Sequence, residues 1–236
     1  KKLMLSIASI ICIYYPNSSK VLKLTNNLSQ FGKVYIFING GDLNEFELKN
    51  NQKIKIIKSK QNIGTAGAYN QIFESTDHPY YWLWDQDSFI NKEDAFEFLG
   101  ISEKIFRKNK KCFMTTISDP KNSFKFTNKN FVLPKASSSL INTKRTRNYM
   151  NLRFDQSLFL DYADWEFAYR IMNSGGLIKQ VDNIKLLHEL GSSYKTIFGN
   201  YLNAPKPFRI TFQIVNTFYF FHKYKYSLLT FILLIF

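Results

Sequence analysis

Short apolar runs alternate along the chain with amphipathic stretches, and the switches fall at Pro, Asn and Gly clusters. Residues 6–14 are apolar and rich in β-branched side chains, and Pro16-Asn17-Ser18-Ser19 breaks them, which predicts a first strand and a helix start. Val21, Leu22, Leu24, Leu28 and Phe31 then recur at near-helical spacing, and Gly32 ends the run. Residues 33–39 predict a second strand stopped by Gly40-Gly41, and residues 53–58 alternate as a shorter third. Residues 61–67 form a turn opening a helix that carries Tyr69, Ile72 and Phe73. Tyr80-Tyr81-Trp82-Leu83-Trp84 follows, bounded by Pro79 and by polar residues, as a strand buried on both faces. A helix over 91–108 and a strand over 111–117 continue the order.

Residues 118–131 are polar and Lys-rich and read as a surface excursion, with structure resuming over 133–141. Residues 161–172 predict a helix with Tyr162, Trp165, Tyr169 and Met172 as its apolar stripe, ended by Gly175-Gly176. Residues 177–187 read as one strand leading to His188. Strands alternating with helices argue for an α/β fold, a mostly parallel sheet with helices on its faces. After Ala204-Pro205-Lys206-Pro207 the character changes to aromatics mixed with cations, so the expected division is a domain over 1–203 and a segment over 204–236. The apolar run 228–236 is far shorter than the roughly 20 residues a spanning helix needs. The last segment suits an interfacial helix on an anionic membrane and equally a helix packed on the core.

The aromatic strand runs into Asp85-Gln86-Asp87-Ser88. Ligands in open α/β sheets bind outside the carboxyl ends of the strands. Two carboxylates there suit a divalent cation, and a cation suits a diphosphate. The pair alone also fits a solvated turn. Asp161, Asp164, Trp165, Glu166 and Arg170 form a second cluster; there Asp161 suits an N-cap and Glu166 with Arg170 an i,i+4 pair.

Composition changes this picture little. A 45% apolar share supports a real core, and the net charge of +14 suggests polyanionic partners: nucleic acid, anionic membrane or phosphorylated substrates. Cys12 and Cys112 fit neither a disulfide framework nor a metal site. The N-terminal residues 1–8 have the charge-then-apolar order of a signal peptide but no small-residue cleavage site follows, so a first core strand and a cytoplasmic compartment are expected.

Four motifs in order resemble a known family: inverting, nucleotide-sugar-dependent glycosyltransferases of family two, with the GT-A fold, in the bacterial rhamnosyltransferase-like branch. They are Asn62-Ile63-Gly64-Thr65-Ala66-Gly67-Ala68-Tyr69-Asn70, Asp85-Gln86-Asp87-Ser88, the stretch Phe159-Leu160-Asp161-Tyr162-Ala163-Asp164-Trp165-Glu166 through Arg170, and His188-Glu189-Leu190-Gly191. The chain departs from the family in having Ile38-Asn39-Gly40-Gly41 where an Asp usually helps hold the base, and Tyr14-Tyr15-Pro16 for Tyr-Asn-Pro.

The resemblance implies a nucleoside-diphosphate sugar donor, dTDP-L-rhamnose first, and a glycan or polyprenyl-linked acceptor on the cytoplasmic face of the bacterial membrane, with no nucleic-acid partner. It implies Mn²⁺ or Mg²⁺ held by Asp87 and His188, with Asp85 touching the ribose or the metal through water. Tyr14, Tyr15, Asn39, Asn62, Gly64, Gly67, Asn70, Asp85 and Gln86 would hold the donor. Asp164 falls where the family keeps its catalytic base, and Asp161, Trp165 and Glu166 would shape the acceptor site. Competing readings are the same fold with galactofuranose or a hexose, a metal-dependent nucleotidyl- or phosphotransferase, and a non-catalytic basic protein.

Overall fold

The computed structural model describes residues 5–43, 48, 51–118, 123–126, 129–132, 137–188, 193–195, 201–203 and 207–224, without the side chains of 123–132, 188, 193–203 and 207–208. The elements in order are β1 (Ile7–Ile13), α1 (Ser18–Leu28), β2 (Gly32–Ile38), β3 (Ile54–Lys58), α2 (Gly64–Ser75), β4 (Tyr80–Asp85), β5 (Ser88–Ile90) and α3 (Lys92–Lys108). Then come β6 (Cys112–Ile117), β7 (Ser123–Phe126), β8 (Lys129–Val132), β9 (Leu140–Asn142), α4 (Thr143–Tyr149) and α5 (Ala163–Asn173). The remainder are β10 (Leu177–Val181), β11 (Leu186–His188), β12 (Ser193–Lys195), β13 (Tyr201–Asn203) and α6 (Pro207–Tyr224).

A seven-stranded sheet in the order β10-β6-β9-β4-β1-β2-β3 forms the centre, parallel except for β9, which runs against both neighbours. β4 is buried on both faces because helices cover both. Trp82 and Trp84 point into the cluster with Val21 and Leu24 of α1 and Phe98 of α3, and Trp82 stacks on Phe98 at 5.5 Å. Tyr81 and Leu83 point the other way, against Ile72 and Phe73 of α2 and Phe167 and Ile171 of α5. Asn91 caps α3 by accepting from the Asp94 N–H at 2.7 Å, and Glu93, Asp94, Arg107 and Lys108 suit the helix dipole.

The structure corrects the sequence reading in four places. Residues 177–187 are two strands, because Asn183 turns left-handed (φ 63°) and sends β11 to pair with β5. Asn is among the residues that tolerate that conformation. The polar excursion contains the antiparallel hairpin β7–β8. The unforeseen helix α4 is capped by Asn142 accepting from the Arg145 N–H. α5 begins at Ala163, and its buried stripe is Ala163, Phe167, Ala168 and Ile171. Tyr162, Trp165, Tyr169 and Met172 are only half-buried. Tyr169 packs on Phe220 and Tyr224 of α6, so the helix is covered on two sides and its apolar residues do not keep one stripe. Among the described residues no helix is long and apolar enough to cross a membrane.

Candidate active site

The pairing register builds the first half of the site. Cys12 stands opposite Asp85 across the β1–β4 ladder, so both strands end side by side. The Gln86 side chain extends that ladder: its Oε1 accepts from the Tyr14 N–H at 2.7 Å and its Nε2 donates to the Tyr14 carbonyl at 3.1 Å. Ser137 pins the turn from the other side, accepting from the Asp85 N–H at 2.7 Å and lying 2.8 Å from the Ser88 hydroxyl. Asp87 is left exposed and Asp85 half-buried. Burial and the nearby Asp85 charge push the Cys12 thiol up to about 12, so this cysteine stays a thiol.

Tyr14 and Tyr15 lie beside this turn with 51% and 71% of their surface exposed, their rings edge to face at 4.7 Å. The Tyr15 N–H donates to the Gly40 carbonyl at 2.9 Å. A Cβ on Gly41 would lie 2.8 Å from the Tyr15 Cα, and its φ of +77° also favours glycine. Asn39 is buried, and its Oδ1 accepts from the Ile63 N–H at 2.8 Å, tying the end of β2 to the start of α2. Asn62 Oδ1 accepts from the Gly64 N–H at 3.0 Å. Gly64 is left-handed (φ +71°), and a Cβ there would come within 2.4 Å of the Phe159 carbonyl oxygen. Gly67 packs under the Ile63 side chain. Asn70 bonds Phe154 twice, donating to its carbonyl at 2.9 Å and accepting from its N–H at 2.7 Å. These five residues therefore shape the loops around the site through bonds within the protein.

The second half comes from α5. Asp161 and Tyr162 are both left-handed (φ 64° and 61°), and Tyr162 occupies the N-cap position without a side-chain cap bond. Asp164 follows in the first turn, half-buried, its Oδ1 accepting from the Trp165 N–H at 2.9 Å. Trp165 packs edge to face on Tyr162 at 4.7 Å. Tyr69 lies within the field of carboxylates from both halves. Its hydroxyl is fully buried and has no hydrogen-bond partner among the described residues. Burial, then the charges of Asp85 and Asp164, push its ionisation well up.

Two residues expected at the acceptor site, Glu166 and Asp161, are bound by side chains of α6. Glu166 is 0% exposed. It accepts from Arg170 Nε at 2.9 Å, Lys223 Nζ at 2.8 Å and the Tyr224 hydroxyl at 2.5 Å. Asp161 accepts from Arg209 Nε at 3.0 and 2.9 Å and from Gln213 Nε2 at 3.1 Å. The hydrogen bond to Asp161 raises the Arg209 pKa first; the charges of Asp161, Asp85 and Asp87 add to it, so this guanidinium lies in the field of both carboxylate clusters.

Sequence reading missed Arg209, Gln213, Asn216 and Lys223. Their signal was a polar face on an otherwise apolar helix, with Thr217 and Tyr224 on the same side. That face turns inward, while Ile210, Ile214, Val215 and Phe218 are 41% to 57% exposed.

His188 ends β11, paired across from Ser88, so its backbone lies next to the Asp85–Asp87 turn; its side chain lies outside the described residues. Among the described residues no group of three His, Cys, Asp or Glu is placed to hold a metal. The carboxylates of Asp87 and Asp85 at one strand end are the oxygen donors a hard divalent ion takes. The residues present thus fit such an ion.

The fold recurs in solved glycosyltransferases. A mannosyltransferase from Pyrobaculum calidifontis, solved in complex with GDP-Man and Mn²⁺, aligns with a TM-score of 0.62 at 10% identity, covering 90% of this chain and 61% of that one. S. aureus TarS 1–349, solved in complex with UDP-GlcNAc, aligns with a TM-score of 0.58 at 14% identity, covering 76% of this chain and 56% of that one. The chain has the GT-A glycosyltransferase fold. Within this GT-A chain, 75 residues are 32% identical to the dTDP-rhamnosyl transferase RfbF of Shigella flexneri, 32% of this chain and 25% of RfbF. It spans under two thirds of each of these relatives. No protein-family model matches it.

Proposed function

We propose that this chain is an inverting glycosyltransferase that moves L-rhamnose from dTDP-L-rhamnose to a hydroxyl of a glycan or polyprenyl-linked acceptor in bacterial surface polysaccharide synthesis. The observation that carries it is the nearness of two carboxylate sets: Asp85 at the end of β4 and Asp164 at the start of α5 both act on buried Tyr69, and Arg209, paired with Asp161 before α5, lies in the field of Asp85 and Asp87. The similarity to RfbF supports the choice of donor.

In this reading Tyr14 and Tyr15 offer exposed rings against which a nucleotide base stacks, consistent with the absent Asp after β2. Asp85 takes the ribose, and Gln86 keeps the turn in place. Asp87 and His188 would hold Mn²⁺ or Mg²⁺, which supplies positive charge against the departing diphosphate. Asp164 accepts the proton of the acceptor hydroxyl as that oxygen bonds to the anomeric carbon and the bond from that carbon to the diphosphate oxygen breaks. One displacement inverts the centre, and general-base help of this kind contributes roughly 10²–10⁴-fold. Trp165, beside Asp164, lines the acceptor side.

The exposed apolar side of α6 supports a peripheral contact with anionic membrane, where a lipid-linked acceptor sits. A second reading keeps the fold and changes the sugar, since solved chains of this fold hold GDP-Man and UDP-GlcNAc.

A thermal-shift screen of dTDP, UDP and GDP with and without Mn²⁺, followed by transfer assays from the matching sugars, tests the proposal. Stabilisation by dTDP that requires Mn²⁺ is expected, since a ligand of the native state alone raises stability by mass action. Preference for UDP or GDP transfers the assignment to the second reading. Stabilisation by no nucleotide contradicts both.

A further inference from the structure

The turn before α5 is strained, and α5 holds it through the backbone, the Ala163 N–H donating to the Asp161 carbonyl and the Glu166 N–H to the Tyr162 carbonyl, each at 2.9 Å. Asp161 and Tyr162 are consecutive non-glycine residues with φ of 64° and 61°. Such conformations persist only where the surroundings over-determine them, and they concentrate at functional sites. Tyr162 makes no capping bond with its side chain.

A second restraint comes from one face of α6, across more than 45 residues of sequence. Arg209 forks onto the Asp161 carboxylate, with Nη2 2.5 Å from Oδ1. Gln213 holds the second oxygen. Asn216 Nδ2 donates to the carbonyls of Leu160 at 2.5 Å and Asp161 at 3.3 Å. Thr217 Oγ1 donates to the Tyr162 hydroxyl at 3.2 Å. Four polar residues of α6 thus grip three consecutive residues of the turn. Asp164 is the second residue of α5, so where its carboxylate stands depends on how that turn is set.

A pair joining a 52%-exposed Arg side chain to an Asp side chain with 16% exposure adds little stability by itself. Its fork geometry restrains direction more than it adds energy. We infer that Arg209 is a positioning residue for the proposed base: by clamping Asp161 it fixes the left-handed turn from which Asp164 projects. This rests on the reading of Asp164 as the base.

Three variants of the full chain test it: Arg209→Met, Arg209→Lys and Lys223→Met. Lys223 pairs with Asp155 and Glu166 at the other end of α6, so its change loosens the helix without touching the turn. Two readouts are needed. One is turnover of dTDP-L-rhamnose with Mn²⁺, followed as dTDP release. The other is acrylamide quenching of Trp165, which is half-buried beside Asp164 while Trp82 and Trp84 are fully buried.

Arg209→Met is expected to lower kcat about tenfold to a hundredfold with KM nearly unchanged, and to raise quenching; a misplacement of about 1 Å near the reacting atoms has such effects. Arg209→Lys restores part of both. Lys223→Met lowers Tm and leaves both readouts near wild type. Unchanged quenching in Arg209→Met overturns the inference, as does a loss of kcat no larger than that of Lys223→Met. If instead Asp164→Asn keeps full turnover, the assignment of the base fails, and quenching alone decides whether Arg209 sets the turn.

Discussion

The Gln86 amide and the Tyr14 backbone form a two-bond clamp that prolongs the β1–β4 ladder past the last paired residues. Both bonds are exposed, so the Tyr14 backbone groups can bond to solvent in their place, and replacing Gln86 by Leu costs the fold about 1 kcal/mol at most. The loss appears in binding. Freed from Tyr14, the turn carrying Asp85 and Asp87 has to be ordered by the nucleotide, and about 1 kcal/mol of ordering weakens Kd roughly fivefold. Isothermal titration of Gln86→Leu with dTDP and Mn²⁺ checks this. Wild-type affinity would show that the clamp does not organise the donor side.

Glu166 is the anchor between α5 and α6. Replacing it by Gln removes the buried counter-charge of Arg170 and leaves Lys223 with Asp155 alone. Breaking a buried pair in this way costs about 3–5 kcal/mol, and the low end applies because both cations reach solvent. Urea unfolding of Glu166→Gln measures it; a loss below about 1 kcal/mol would mean the network is dispensable.

Asp155 adds a pH dependence. Burial alone would raise its carboxyl, yet hydrogen bonds from Lys223 and Tyr219 outweigh that and hold it at about 2 against an ordinary 3.8. A depressed carboxyl stabilises the fold fully above its ordinary value, and that contribution is lost as pH falls from 3.8 towards 2. Thermal melts across this window should therefore fall less steeply with acid in Asp155→Asn than in wild type. Parallel curves would contradict the pairing.

Much of this was legible in the sequence for physical reasons. An unbroken aromatic run can be buried only between two helical layers, so 80–84 marked the central strand, and the carboxylates after it marked its functional end. The α5 stripe was misplaced because Tyr169 and Trp165 pack outward, and a helix covered twice has no single apolar period. Asp161 reads as an N-cap only if the residue after it is helical; a left-handed Tyr162 moves the helix start on. The grip of α6 on Asp161 depends on contacts 48 residues apart, which no local pattern encodes.

α6 is amphipathic in an inverted sense, with polar residues against the protein and Ile210, Ile214, Val215 and Phe218 outside. Ile214→Ser with Phe218→Ser changes exposed side chains, so stability should stay within about 0.5 kcal/mol per site. Binding to vesicles containing anionic lipid should fall about tenfold or more, since burial of each side chain contributes on the order of 1 kcal/mol or above. Co-sedimentation equal to wild type would remove this face from membrane contact.

The central claim is that Asp164 removes the acceptor proton. Asp164→Asn keeps the size and the bond from the Trp165 N–H but cannot take up that proton. The direct measurement compares this variant with wild type in two assays: dTDP-L-rhamnose binding with Mn²⁺, and its turnover. The account predicts binding within about twofold and turnover lower by on the order of 10²–10⁴. Turnover near wild type with binding intact would contradict it.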